Sequence, residues 1–97
     1  MYAAVTRRRP DTGVAGPPGS SEGWCVDEAL QLDQALTGFT EAPARGAFLD
    51  QSAGKIANGF FADWIVLEDK LENMDVDALR TVKVKETWVG GKKVYER

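Results

Sequence analysis

The side chains able to do chemistry in this sequence are almost all carboxylates, because it contains no histidine and a single cysteine, Cys25. Histidine is the usual proton carrier near neutral pH and the commonest zinc ligand. Without it, a Ser-His-Asp or Cys-His nucleophile is excluded by composition. A zinc site would have to be assembled from carboxylates nearly alone, which is unusual. Asp63, Asp69 and Asp75 are the acids that an enzyme in its own right would need. Their spacing supports no paired-carboxylate arrangement, and neither helix expected upstream turns two acids at i, i+4 towards a pocket. Cys25, next to Trp24 on a loop exit, is read as an unreactive thiol. We therefore assign no catalytic, cofactor-binding or metal-binding residue to the chain.

The elements that would position these acids fall into a helical first half and a stranded second half. Residues 1–9 (MYAAVTRRR) read as a short helical or mixed stretch whose basic end would complement a helix dipole. The three arginines suit a solvated helix end better than a phosphate contact in so acidic a chain, and Pro10 stops the segment. Residues 10–23 (PDTGVAGPPGSSEG) form a loop by composition, either a linker or a lid. Leu30, Leu32, Ala35, Leu36 and Phe39 recur at spacings that predict a helix over 32–39. Thr40 is expected to cap a second short helix, with Pro43 in its first turn and Ala44, Ala47 and Phe48 as its apolar face.

After Gly54 the pattern changes to strands. Residues 62–67 (ADWIVL) are an apolar, partly β-branched run of the kind buried on both faces of a sheet. Asp75 is placed to cap one helical turn through Asp77, Ala78 and Leu79. Residues 82–89 (VKVKETWV) alternate, with Val82, Val84 and, by the same alternation, Glu86 and Trp88 on one face. Gly90-Gly91 predicts a two-residue hairpin turn, since both central positions need positive φ. Residues 84–89 and 92–96 should pair across it, with Trp88 and Val94 facing a core.

Size and charge narrow the function classes. Ninety-seven residues suit one small domain, and a chain of that size buries only about 60–70% of its unfolded surface. The apolar share of 43% is slightly low for a compact globule. A net charge of −3 argues against a nucleic-acid partner, which would require a basic face. There is no run near the ~20 apolar residues of a membrane span. The basic N-terminal run is not followed by the apolar stretch of a signal peptide. With one cysteine, no internal disulfide forms, which fits a reducing compartment, and the expected location is the cytoplasm.

Four segments, taken in order, resemble a known family. Residues 54–67 (GKIANGFFADWIVL) are similar to the G-x-I-x-x-G-x-x-A-D-x-V-V-L segment near the C-terminus of amidohydrolase-superfamily enzymes. Residues 86–96 (ETWVGGKKVYE) resemble the closing strand pair of the amidohydrolase-3 branch. Residues 2–7 (YAAVTR) look like the helix after the last barrel strand in that branch. Residues 24–30 resemble W-x-P-E-E-R-L, and residues 32–40 resemble L-E-E-A-L-R-A-Y-T. Val26 stands where the pattern has proline, Ala29 where it often has arginine, and Gln31 where a threonine would cap the helix.

The resemblance implies a (β/α)8 barrel plus a small β-sandwich built from both ends of the chain. It also implies one or two divalent metals in the barrel, usually zinc, that activate water against a C–N bond. The family's metal ligands precede the segment matching Tyr2, so none is carried over to a position here. On the same resemblance, Asp63 lies in the sandwich and takes a structural hydrogen-bonding role, and Trp88 and Tyr95 are sandwich packing. The expected class is α+β: residues 1–53 as the terminal helices of the barrel, residues 54–97 as the C-terminal half of the composite sandwich. The chain is then the C-terminal part of a metal-dependent amidohydrolase acting on non-peptide C–N bonds, inactive alone. It carries no cofactor of its own, zinc belonging to the full-length enzyme, and it self-associates or needs the missing N-terminal part. The alternative is a stand-alone, non-catalytic α+β module that binds a partner.

Overall fold

In a computed structural model the structure describes residues 1–14 and 23–97. Most of the loop expected at 10–23 therefore lies outside the described residues. Helix α1 spans Tyr2–Thr6. It ends before the arginines because Arg7 turns left-handed, at φ 59°, and its N–H bonds back to the Ala3 carbonyl at 2.8 Å, a common helix stop. Helix α2 spans Leu32–Phe39, the interval that the apolar spacing predicts. A capping box between Gln31 and Gln34 starts it: Gln34 Oε1 accepts the Gln31 N–H at 2.9 Å. Glutamine thus serves where the family pattern has threonine.

Helix α3 spans Glu41–Gly46, and here two expectations need correction. Thr40 makes no side-chain cap; its hydroxyl donates to the Leu36 carbonyl at 2.7 Å. Thr40 also closes α2, whose last carbonyls lack partners and compete for that hydroxyl. Phe48 is not on an apolar face. It is 92% exposed, at φ 61°. The Phe48 N–H bonds to the Arg45 carbonyl and the Leu49 N–H to the Ala44 carbonyl, so Phe48 occupies the left-handed position of a Schellman motif where glycine is usual.

Three strands form an antiparallel sheet in the order β1-β2-β3: β1 Trp64–Leu67, β2 Val84–Val89 and β3 Lys92–Glu96. Trp64 pairs with Trp88 and Val66 with Glu86, after which Leu67 pairs with Val84, leaving Lys85 as an extra residue. Across the turn, Trp88 pairs with Lys93 and Thr87 with Tyr95, so Val94 is the extra residue there. Both are β-bulges. The second explains why Val94, expected to face a core, is 62% exposed: the bulge extrudes it, and Lys93 takes the place opposite Trp88. Nor is β1 buried on both faces. Ile65 is 55% exposed and Val66, which alternation puts on the opposite face, is 37% exposed, so neither face of β1 is closed over.

Short 3-10 turns complete the chain at Val26–Glu28, Leu71–Asn73 and Val76–Arg80. The last starts as the sequence suggests, with Asp75 Oδ1 accepting the Asp77 N–H at 3.4 Å. Among the described residues, the buried apolar side chains are Tyr2, Ala35 and Ala44. Ala44 is buried because the 49–54 segment folds back on α3 at Gly54, which has φ 97°. A Cβ there would come within 2.8 Å of the Ala44 Cβ. The accessible surface is 7190 Å², where a compact chain of this mass exposes about 5,500 Å². The radius of gyration is 15.7 Å against about 12.5 Å for a compact domain.

Two substitutions test these backbone assignments. Gly90 and Gly91 sit at φ 58° and 75°, so Val at either should destabilise the chain by about 1–2 kcal/mol. An unchanged melting temperature in both variants would refute the turn. Phe48→Gly should instead raise the melting temperature, by an amount worth about 1 kcal/mol, since it relieves a left-handed side chain and removes almost no contact.

Candidate functional site

The acid that draws attention first, Asp63, is committed to backbone. Its Oδ1 accepts the Gly90 N–H at 2.8 Å, and the Gly91 N–H donates to the Ala62 carbonyl at 2.9 Å. The hairpin turn is thereby clipped to the two residues that precede β1. One strand register further on, the Trp64 and Trp88 rings stack with centroids 5.7 Å apart and planes 24° from parallel. Trp88 Nε1 donates to Glu86 Oε2 at 2.8 Å. Lys93 lies beside the same ring, its Nζ 5.8 Å from the centroid, 3.7 Å from Glu86 and 3.1 Å from Glu96.

The electrostatics follow from these contacts. The indole N–H holds the Glu86 carboxyl below the ordinary glutamate range, helped by the Lys93 charge and opposed by partial desolvation. The hydrogen bond from Lys93 to Glu96 raises the ammonium above its usual value, and the Glu86 charge adds to the effect. These are ion pairs on a sheet face, and they orient one another. They leave no free base beside a nucleophile. Tyr95, read from the resemblance as packing, stands half exposed on β3 opposite Thr87.

Asp69 and Asp75 line one shallow hollow of about 480 Å³ with Glu68, Lys70 and Asn73. Asp63 is not part of it, so the three acids are not brought together. Cys25 is exposed, at φ 47°, on the residue before the Val26–Glu28 turn. Among the described residues there is no group of three or more His, Cys, Asp or Glu side chains able to hold a metal ion. No helix among the described residues is long and apolar enough to cross a membrane.

Sequence reasoning missed the Glu86–Trp88–Lys93 cluster. A signal for half of it was available, since Glu86 and Trp88 at i, i+2 share a strand face. Lys93 joins them because the hairpin register sets it opposite Trp88.

A model of the amidohydrolase family matches residues 1–95, and the chain belongs to that family, in its amidohydrolase-3 branch. The chain is 34% identical over 70 residues to "Putative amidohydrolase YtcJ" of Bacillus subtilis (strain 168), covering 72% of this chain and 13% of that protein. It is 32% identical over 80 residues to "Protein LONG AFTER FAR-RED 3" of Arabidopsis thaliana, covering 81% of this chain and 13% of that protein. The chain thus spans about an eighth of the length of these curated relatives. No solved structure matches it significantly.

Two outcomes follow from the geometry. Asp63→Ala should cost about 0.5–1 kcal/mol of stability, the worth of one exposed hydrogen bond, and Asp63→Asn should recover most of it by keeping an acceptor for Gly90. Equal loss in both variants would show that the carboxylate is not acting through that bond. Glu86 has a depressed folded pKa, so its contribution is complete above the ordinary glutamate value of 4.5 and is lost as pH falls through the folded value. Thermal melts across acidic pH should show this loss in the native sequence and a shallower acid limb in Glu86→Gln.

Proposed function

We propose that this chain supplies the C-terminal part of a metal-dependent amidohydrolase that cleaves non-peptide C–N bonds, and that it is catalytically inactive alone. The observation that carries this reading is the family match over residues 1–95 of a sequence without histidine. The family's chemistry needs a ligand set that these residues do not provide. On this reading, residues 1–53 pack against a barrel and residues 54–97 supply half of a sandwich. Their work is to shape and stabilise the fold that holds the site. A cytoplasmic location is in keeping with the single cysteine.

The same reading gives the exposed apolar side chains a purpose. Phe39, Ile56, Phe61 and Ile65 all face solvent, and among the described residues β1 has a strand partner on one side of its backbone only. Covering one such side chain is worth about 1.5–3 kcal/mol, a large share of the 5–15 kcal/mol that stabilises a typical domain. Unpaired strand edges also recruit other chains. The chain accordingly self-associates or requires the segment that completes it.

Purified chain should bind no stoichiometric zinc and hydrolyse no amide or formamide above background. One tightly held zinc per chain, or turnover abolished by a chelator, would overturn the proposal. Sedimentation and melting over a concentration series should show association or dye binding. A clean monomer with a cooperative, concentration-independent melt would favour a stand-alone binding module instead.

A further inference from the structure

Arg80 stands in the second half of the chain, at the end of the Val76–Arg80 turn, yet its guanidinium reaches the first. Nε donates to the Pro10 carbonyl at 3.1 Å and Nη2 donates to the Asp11 carbonyl at 3.1 Å. The same group lies 5.8 Å from the centroid of the Tyr2 ring. Tyr2 is 4% exposed, the most buried of the large side chains described, and its hydroxyl donates to Asp77 Oδ1 at 3.4 Å. Arg8 comes within 4.0 Å of that carboxylate oxygen. Gly13 completes the enclosure from the other side: at φ 72°, a Cβ there would meet Arg80 Nη1 at 2.8 Å. The turn it belongs to is closed by Gly13 N–H to Arg9 carbonyl and Arg9 N–H to Val14 carbonyl bonds.

We infer that Arg80 is a clasp: it locks the Pro10–Gly13 turn over Tyr2 and so couples the α1 end of the chain to the Val76–Arg80 turn, the two opening together. Three features support this. The planar guanidinium gives two parallel donors and a stacking face at once, which an ammonium does not. The partners are some seventy residues away in sequence, so the contact closes a long loop and is not a by-product of local structure. Residue 13 is a glycine in the left-handed conformation, at φ 72°, and a Cβ there would displace the Arg80 guanidinium from its place. The clasp makes no use of the sheet, and it holds whether or not the chain is part of an amidohydrolase.

Coupling is reciprocal, which gives the test two directions. Amide hydrogen exchange is followed in the full chain for the native sequence, Arg80→Ala, Arg80→Lys and Gly13→Ala. Arg80→Ala should speed exchange at Arg9, Gly13 and Val5 about tenfold, as expected for two lost hydrogen bonds. Gly13→Ala should speed exchange at Thr81 and Val82, which it does not touch directly. Arg80→Lys should recover less than half of the Arg80→Ala effect, and the β2–β3 amides should stay unchanged in all three variants. The inference is overturned by any of four results: no protection at Gly13 in the native sequence, an Arg80→Ala effect spread evenly over the chain, no change at Thr81 and Val82 in Gly13→Ala, or full recovery by lysine.

Discussion

A sheet's side chains alternate between faces, so its register decides which residues meet, and a slip of one residue would exchange the two faces throughout. In this chain the register is set where Trp64 lies opposite Trp88. The ring stack holds the pair side by side, and the Asp63 and Ala62 bonds to Gly90 and Gly91 lock the turn to the start of β1. Everything else on the sheet is placed relative to that point. Lys93 meets Trp88 and Glu86, and the Lys85 carbonyl accepts the Arg97 N–H at 2.8 Å, one step beyond the Glu86–Glu96 pair.

The helical half depends on small residues. Ala35 and Ala44 are the buried residues of α2 and α3, and Gly54 lets the following segment close on Ala44. Small residues permit close backbone contact but bury little apolar area, and burial is the main source of stability. The large apolar residues that would add area, such as Phe39 and Phe61, point outwards. That imbalance, rather than any strained bond, is why the accessible surface is so large for the mass.

Membership in the amidohydrolase family rests in this chain on a pattern of positions along residues 1–95. The positions that carry the resemblance shape backbone. Gly54 and Gly59 take positive φ, as do Gly90 and Gly91, and Asp63 accepts a turn N–H. What they supply is turn geometry and a hydrogen bond that fixes it. A fold element can be recognised by such positions without any of the reacting groups, because function resides in sites that a fold carries and not in the fold itself.

What the sequence determined by itself is local. The absence of histidine excludes whole classes of mechanism, since no arrangement of the chain can supply a missing imidazole. The spacing from Leu32 to Phe39 gives a helix because 3.6-residue periodicity is written along the chain. Two adjacent glycines give a tight turn because few other residues tolerate its φ values. Tertiary structure decided whatever depends on who lies alongside. The apolar run from Ala62 to Leu67 reads as buried, and whether it is so depends on neighbours that its own residues do not specify. Val94 was moved outwards because it is the extra residue of a bulge against β2, an event that alternation within one strand cannot register. Thr40 had two helices to serve, and its hydroxyl went to the carbonyls ending α2. Arg80, one more charged residue in a linear reading, became the clasp on Tyr2 because folding brought carbonyls seventy residues distant within reach of a guanidinium.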